Sequence, residues 1–229
     1  MRATGLVLAL IAATGLARAL AAQDVAARLD GRVAPEVRQA VRAIAADATA
    51  HGLPVEPLVQ KAIEGGAKGV PAERVIAAVR VVAARLADAA DALRAADIAA
   101  PGADVVEAGA DALNAGLNAG HVRELTLASR PPYDPAVTLR VAATLAALGV
   151  PPKQTLSLVL GMISAGRAPG DLLALPSQVE AGVAAGQTPP QAAAGLARAA
   201  GGTPPGRTSG WTPPGQTNSH KPPPNPHKP

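Results

Sequence analysis

The chain has 229 residues, of which 48% are hydrophobic but only 1% are aromatic, so a core of packed aromatic rings is excluded. It has no cysteine, which excludes disulfide scaffolds, thiol catalysis and cysteine-based zinc or iron–sulfur sites. About a quarter of the residues are alanine, a composition that favours helices packed closely through small side chains.

The formal net charge is +4, but the excess positive charge lies at the two ends of the chain. Two basic residues fall within residues 1–21 and three within residues 201–229, where there is no Asp or Glu. Of the 21 basic residues, 16 therefore remain in residues 22–200, against 17 acidic ones. Nucleic-acid binding requires clustered Lys and Arg with stacking aromatic side chains, so we expect no nucleic-acid partner.

Residues 1–21 have the pattern of a secretory signal peptide. Arg2 provides a positive start, an uncharged apolar run of about a dozen residues follows, and Ala19 and Ala21 supply the small side chains of a cleavage site. We predict cleavage after Ala21 and an exported protein, periplasmic or extracellular. An uncleaved leader would instead serve as an N-terminal anchor, although its apolar run is shorter than the about 20 residues of a membrane span.

The segment 22–200 is predicted to be all-α, because its apolar residues recur at spacings of three and four without β-branched alternation. It contains no uncharged apolar run of 18 residues, so no integral membrane span is expected after leader cleavage. Glycine and proline separate its helices, and each joint fits a helix ending at a left-handed glycine before a helix with proline in its first turn. The joints are Gly52–Pro54, Gly69–Pro71, Gly149–Pro151, Gly166–Pro169 and Gly186–Pro189.

In chain order, the first predicted helix is Pro35–Ala50, which would cap the domain. A short helix then precedes a long one that runs from Pro71 to about Ala99. Short helices recur after Gly102 and Gly149. The apolar positions of these helices are Val37, Val41, Ile44 and Ala48; Leu58, Val59, Ala62 and Ile63; Val75, Ile76, Val79, Val82, Leu86 and Leu93; Val106, Gly109 and Leu113; and Leu156, Val159, Leu160 and Ile163.

The joints also suggest a repeat, since Gly52, Gly102 and Gly149 are separated by 50 and 47 residues. In the later units, the loop 130–134 and Pro176 would divide the second helix. Stacked units would form an alanine-rich, solenoid-like array of helical hairpins. An orthogonal helix bundle is the alternative, because helix ends demand the same residues in any fold. The possible repeats are 52–101, 102–148 and 149–200.

Residues 201–229 are about half proline and glycine, with Thr-Pro-Pro-Gly at 203–206 and again at 212–215. We expect a disordered, polyproline-like tail. Trp211 is its one large apolar side chain. It would either anchor the tail in a groove of a partner or remain solvated in a spacer, and the composition favours the spacer.

The strongest candidate for a ligand-binding site is the loop after Gly120, since a conspicuous loop on a rigid scaffold is where binding commonly occurs. This loop would gather charged side chains around the only aromatic ring of the body. The alternative is structural, with Asp134 as the N-cap of a helix that begins at Pro135. The candidate residues are Arg123, Glu124, Arg130, Tyr133 and Asp134.

Two further sets of titratable residues are weaker candidates. Asp104, Glu107 and Asp111 would share one helix face, but such runs are usually solvated. His51 and His121 each lie beside a joint glycine, where we expect a cation at a helix C-terminus rather than a metal ligand. We therefore predict no metal and no cofactor.

Without a catalytic constellation, the sequence favours an exported cell-envelope binding or scaffolding module without intrinsic catalysis, with an envelope or secreted protein as its partner. The alternative is a carboxylate-dependent hydrolase or lyase with a site near the 123–134 loop. In a third hypothesis, the basic tail touches anionic lipid or cell-wall polymer.

Overall fold

A computed structural model of the chain describes residues 24–200, and this range contains helices and turns but no strand. The predicted all-α class is thereby confirmed for the described range. The predicted signal peptide 1–21 and the predicted tail 201–229 lie outside the described residues. After a helical segment at 24–29, the helices are α1 Pro35–Ala50, α2 Glu56–Ala67, α3 Ala72–Arg94, α4 Ala103–Asn114, α5 Ala119–Ala128, α6 Pro135–Ala147, α7 Pro152–Ser164, α8 Pro169–Leu173, α9 Leu175–Ala184 and α10 Pro189–Ala199.

The five predicted joint glycines all adopt the left-handed conformation, with φ between 63° and 95°. At Gly149, the backbone N–H donates to the Ala146 carbonyl at 3.0 Å, and the N–H of Val150 donates to the Leu145 carbonyl at 3.1 Å. This pair of bonds is the Schellman motif, which satisfies the last carbonyls of a helix. Val150 is buried, so the joint also fixes the start of α7 against the core.

The predicted position of proline was right at only two joints. Pro169 and Pro189 are the first residues of α8 and α10. Pro71 and Pro151 instead precede their helices as N-caps, with ψ of 139° and 141°, and Pro54 lies before the N-cap of α2. The four-residue joints 166–169 and 186–189 supply a separate residue for the N-cap, whereas the three-residue joints 69–71 and 149–151 leave proline itself in that extended conformation.

Gly102 is not a left-handed joint. It is the N-cap of α4, with φ −66° and ψ 161°. The long helix α3 ends at Arg94 rather than near Ala99, because Asp97 takes the left-handed conformation at φ 67°. The division into three repeats therefore stays a prediction, since Gly102 and Gly149 occupy different positions relative to their helices.

Packing passes from each helix to its near neighbours in the sequence. Helix α3 contacts the two helices that precede it in the chain, α1 and α2, and the two that follow it, α4 and α5. Further along, α4 packs on α6, α6 packs on α7, and α10 packs on α7 and α9. Extensive contacts in residues 24–200 join helices no more than three apart in chain order. Such neighbour-to-neighbour packing is typical of a helical array.

The core is made of aliphatic side chains and alanine. At the contact of α3 with α4, a Cβ atom placed on Gly109 would lie 3.0 Å from the Cβ of Ala89. The two backbones approach closely there because neither position carries more than a methyl group. The largest fully buried side chains are Leu29, Leu58, Leu86, Leu93, Leu125, Leu139, Leu145, Leu158, Leu172 and Leu175.

One ion pair connects the segment 24–29 to α2. The guanidinium of Arg28 donates to both carboxylate oxygens of Glu56, at 2.6 and 2.7 Å. These bonds, together with one from Gln60, lower the pKa of Glu56 to about 2. The Glu56 side chain is 51% exposed, so solvent weakens the contribution of the pair to stability.

We predict that Asp97→Gly stabilises the protein by about 1 kcal/mol, since glycine adopts the left-handed conformation without a steric penalty. The opposite kind of change, Gly116→Ala, should destabilise the protein by about 1 kcal/mol, because Gly116 has a left-handed φ of 99°. A Cβ atom there would meet nothing within 4 Å, so the cost comes from the backbone conformation and not from a steric clash with a neighbour. Urea unfolding measures both changes. Asp97→Asn separates the effect of charge from that of conformation, and a gain from Asp97→Asn as large as that from Asp97→Gly would contradict the conformational explanation.

We predict that Glu56→Gln lowers the free energy of unfolding near neutral pH by about 0.5–1 kcal/mol, the range for an exposed pair. Because the pKa of Glu56 is depressed, its contribution is present above the usual carboxyl pKa and is lost as the pH falls towards 2. The difference from wild type should therefore shrink in acid, as measured by urea unfolding at several pH values. Glu180→Gln, at an exposed position of α9, is the control and should leave the free energy of unfolding unchanged.

Candidate functional site

Two of the five predicted ligand-binding residues lie on a helix rather than in a loop. Asn118 caps α5 by accepting a hydrogen bond from the backbone N–H of His121 at 2.9 Å. The helix therefore begins at Ala119, and Arg123 and Glu124 lie in its body. The predicted loop after Gly120 was wrong, because an asparagine at this position starts a helix.

Arg123 connects α5 to the end of α3. Its Nε donates to the carbonyl oxygen of Ala95 at 3.0 Å. Ala95 is the C-cap of α3, where carbonyl groups lack partners within the helix and the helix dipole favours a positive charge. This contact gives Arg123 a structural role.

Tyr133 connects the turn before α6 to the joint after α7. Its hydroxyl donates to the carbonyl of Arg167 at 2.6 Å, and its half-buried ring packs against the core. Arg167 in turn donates from Nη2 to the carbonyl of Ala199 at 3.2 Å, near the end of α10. The single tyrosine is thus part of a chain of contacts that holds three helix ends together.

Asp134 is the N-cap of α6, as the structural alternative predicted. One carboxylate oxygen accepts hydrogen bonds from the backbone N–H groups of Ala136 at 2.7 Å and Val137 at 3.1 Å. Pro135 is the first residue of the helix. The carboxylate therefore satisfies two backbone donors that would otherwise lack partners.

The five residues do not form a connected cluster. Within residues 24–200, no hydrogen bond or ion pair joins any two of their side chains. Glu124 and Arg130 are exposed, while the bonds of the other three go to backbone atoms of different elements. The arrangement braces the fold and brings no acid–base pair together.

The two histidines of the body occupy opposite kinds of helix end. His51 is the C-cap of α1, as predicted, with Nδ1 2.9 Å from the carbonyl of Asp47. His121 lies in the first turn of α5, so its predicted place at a helix C-terminus was wrong. Its Nδ1 accepts from the backbone N–H of Asn118 at 3.3 Å. That capping bond requires an unprotonated nitrogen.

The acidic residues of α4 face an arginine of α6. Arg140 donates from Nη2 to the backbone carbonyl of Asp104 at 3.4 Å. Desolvation raises the pKa of half-buried Glu107 above its usual range, and the charge of Arg140 opposes that rise. The pKa of Asp111 is raised for the same reason, although this residue is exposed overall. In the described part of the chain, no three His, Asp or Glu side chains are placed to hold a metal ion.

A different feature offers a concave surface on the N-terminal helices. It is a cleft of about 540 Å³ between α1 and α3, here named the α1–α3 cleft. A run of alanines on α3 leaves space between the helices that larger side chains would fill. The apolar lining consists of Ile44, Ala48, Leu53, Ala83, Ala84 and Ala87.

The rim of the α1–α3 cleft carries charges of both signs. Asp47 and His51 lie on the α1 side, with Nδ1 of His51 3.6 Å from an Asp47 carboxylate oxygen. Asp91 and Arg94 lie on α3 and form an ion pair at 2.7 Å. Asp91 also lines a second cleft of about 480 Å³, between α3 and the joint that precedes α5. The C-terminal half of α3 is therefore bordered by clefts on two sides.

Sequence reasoning missed the α1–α3 cleft. Its lining residues come from two helices that are separated by α2, and each alanine alone is compatible with a buried core position. The one signal was the density of alanine between Ala83 and Ala90 on α3.

The chain matches no family model, no curated protein and no solved structure. None of the helices in the described range is long and apolar enough to cross a membrane. The fold and its clefts thus define an alanine-rich, all-α protein whose helices pack in chain order.

We predict that Tyr133→Phe destabilises the protein by about 1 kcal/mol, the net value of one hydrogen bond, because the ring packing is kept while the hydroxyl loses its short bond to the Arg167 carbonyl and a longer one of 3.5 Å to the Ile163 carbonyl. Urea unfolding followed by circular dichroism measures the change. Tyr133→Ala should cost more, since it also removes the ring from the core surface. Equal stability of wild type and Tyr133→Phe would contradict the bracing role of the hydroxyl.

Proposed function

We propose that this protein is an exported binding or scaffolding module of the cell envelope, without intrinsic catalysis, and that it binds an amphipathic helix of a protein partner in the α1–α3 cleft. The export part of the proposal rests on the leader pattern of residues 1–21, with cleavage after Ala21. The binding part rests on one observation, the apolar cleft with its rim of paired charges.

The shape and chemistry of the α1–α3 cleft suit a helix. An amphipathic helix binds by laying its apolar face into an apolar groove, and the floor of Ile44, Leu53 and alanine offers such a surface. Small floor residues let the partner backbone come close. His51 and Arg94 would meet acidic side chains of the partner, while Asp47 and Asp91 would meet basic ones, so the rim sets orientation.

Binding is favoured over the hydrolase or lyase alternative by the use of the groups near the 123–134 loop. A general acid or base needs a side chain free to reach a substrate. Asp134 is engaged by two backbone N–H groups and Arg123 by the end of α3. Of the predicted site residues, Glu124 would then be the one carboxylate available for catalysis, and no second carboxylate is paired with it.

The test is site-specific photo-crosslinking in intact cells of the host. A photoreactive residue replaces Ala84, which lines the α1–α3 cleft, or Ala181, an exposed alanine of α9 outside the described clefts. We expect one discrete adduct from position 84 and none from position 181. The adduct should disappear when Ala87→Arg fills the cleft, and mass spectrometry should place the crosslink on a helical segment of an envelope protein.

Equal crosslinking from both positions, or no adduct from position 84, would contradict the proposed site.

The same cells test export. The mature protein should be recovered outside the cytoplasm with Ala22 as its first residue, and Ala21→Lys should block that processing. Recovery of an unprocessed cytoplasmic protein would contradict the cell-envelope assignment.

A further inference from the structure

A further groove lies where the described chain ends. It has a volume of about 440 Å³ and is here named the α7–α10 groove. Its α7 side includes Ser157, Gly161 and Ser164, and its α10 side includes Ala197 and Ala200. Ala200 is the last described residue, so residues 201–229 are joined covalently to the wall of this groove.

Gly161 lacks a structural reason within the described residues. It lies inside α7, where glycine destabilises a helix relative to alanine. Its φ is not positive, and a Cβ atom there would meet nothing within 4 Å. Gly182 differs, since a Cβ there would lie 2.7 Å from the Cβ of Ala192, and Gly195, which has equally open surroundings, does not line the groove. An additional group that enters the groove would explain why α7 presents a bare backbone there.

We propose that the indole ring of Trp211, from the same chain, occupies the α7–α10 groove. Trp211 is the single tryptophan of the protein and the one large apolar side chain of residues 201–229. Burial of a tryptophan ring removes a large apolar area from water, and the groove volume is in the range of pockets that hold small ligands.

The length of the connecting segment permits this contact. Trp211 is eleven residues beyond Ala200, and a linker of that length spans roughly 17–20 Å. The groove extends along α7 from Ser157 to Ser164, about 10 Å at the rise of a helix. Because the ring is tethered beside the groove, its effective concentration there is high and docking needs little intrinsic affinity.

The polar atoms of the groove also fit an indole. The hydroxyl of Ser157 donates to the carbonyl of Lys153, and that of Ser164 donates to the carbonyl of Gly161. Each hydroxyl oxygen can still accept a hydrogen bond. The indole N–H is a donor only, so either serine would satisfy it. The lining otherwise presents Leu158 and alanine carbons to the face of the ring.

Tryptophan fluorescence of the whole protein tests the proposal, because Trp211 is the only tryptophan that emits. We expect emission shifted to the blue and weaker quenching by acrylamide than in a free peptide of residues 201–229. Gly161→Leu and Ser157→Arg, which fill the groove from its α7 side, should each shift the emission to that of the peptide. Ser157 is exposed, so Ser157→Arg keeps the test valid if Gly161→Leu disturbs folding.

Gly195→Leu is the matched control, since Gly195 lies within α10, a Cβ there meets nothing within 4 Å, and the residue does not line the groove. It should leave the emission unchanged. Emission equal to that of the peptide in the wild type would overturn the proposal. So would blue-shifted emission that survives both groove variants, or a blue shift that vanishes on dilution, which would assign the ring to a second copy.

Discussion

Close approach of helix backbones is the constraint on which this structure depends. A core without phenylalanine, and with alanine at many contact positions, buries little area per side chain, so the helices must come near enough for backbone and methyl groups to pack. The contact of Gly109 with Ala89 is the clearest example. Such packing tolerates little change in volume where helices meet, because a larger side chain must push two backbones apart.

The same constraint explains where concave surfaces arise. Alanine between two closely packed helices fills the interface, but alanine on a helix face that no neighbour covers leaves a furrow. The α1–α3 cleft lies where alanines of the C-terminal half of α3 face the last turns of α1. The α7–α10 groove follows from small residues on both of its walls. The proposed binding of a partner helix and the proposed docking of Trp211 both depend on these furrows rather than on a cluster of reactive groups.

The helix ends show how far local rules reach. The left-handed conformation of Gly52 and Gly149 was predictable, since a glycine after an apolar helix and before proline fits few other conformations. Asp97 was not predicted in that conformation, because an L-residue with a Cβ atom rarely adopts it and only the surrounding helices hold it there. Likewise, Asp134 is recognisable as an N-cap from its neighbour Pro135, whereas Asn118 caps α5 without a proline in the first turn to mark the start of the helix.

The amino-acid sequence by itself determined the helical class, the position of α1 and most helix ends, because spacing, caps and left-handed glycines act over a few residues. Tertiary structure decided which side chains meet. Tyr133 reaches Arg167 and Arg123 reaches Ala95 across about thirty residues of chain, and these partners follow from how the helices stack. The clefts belong to the same class of property, since an alanine is a core residue or the floor of a groove according to whether another helix covers it.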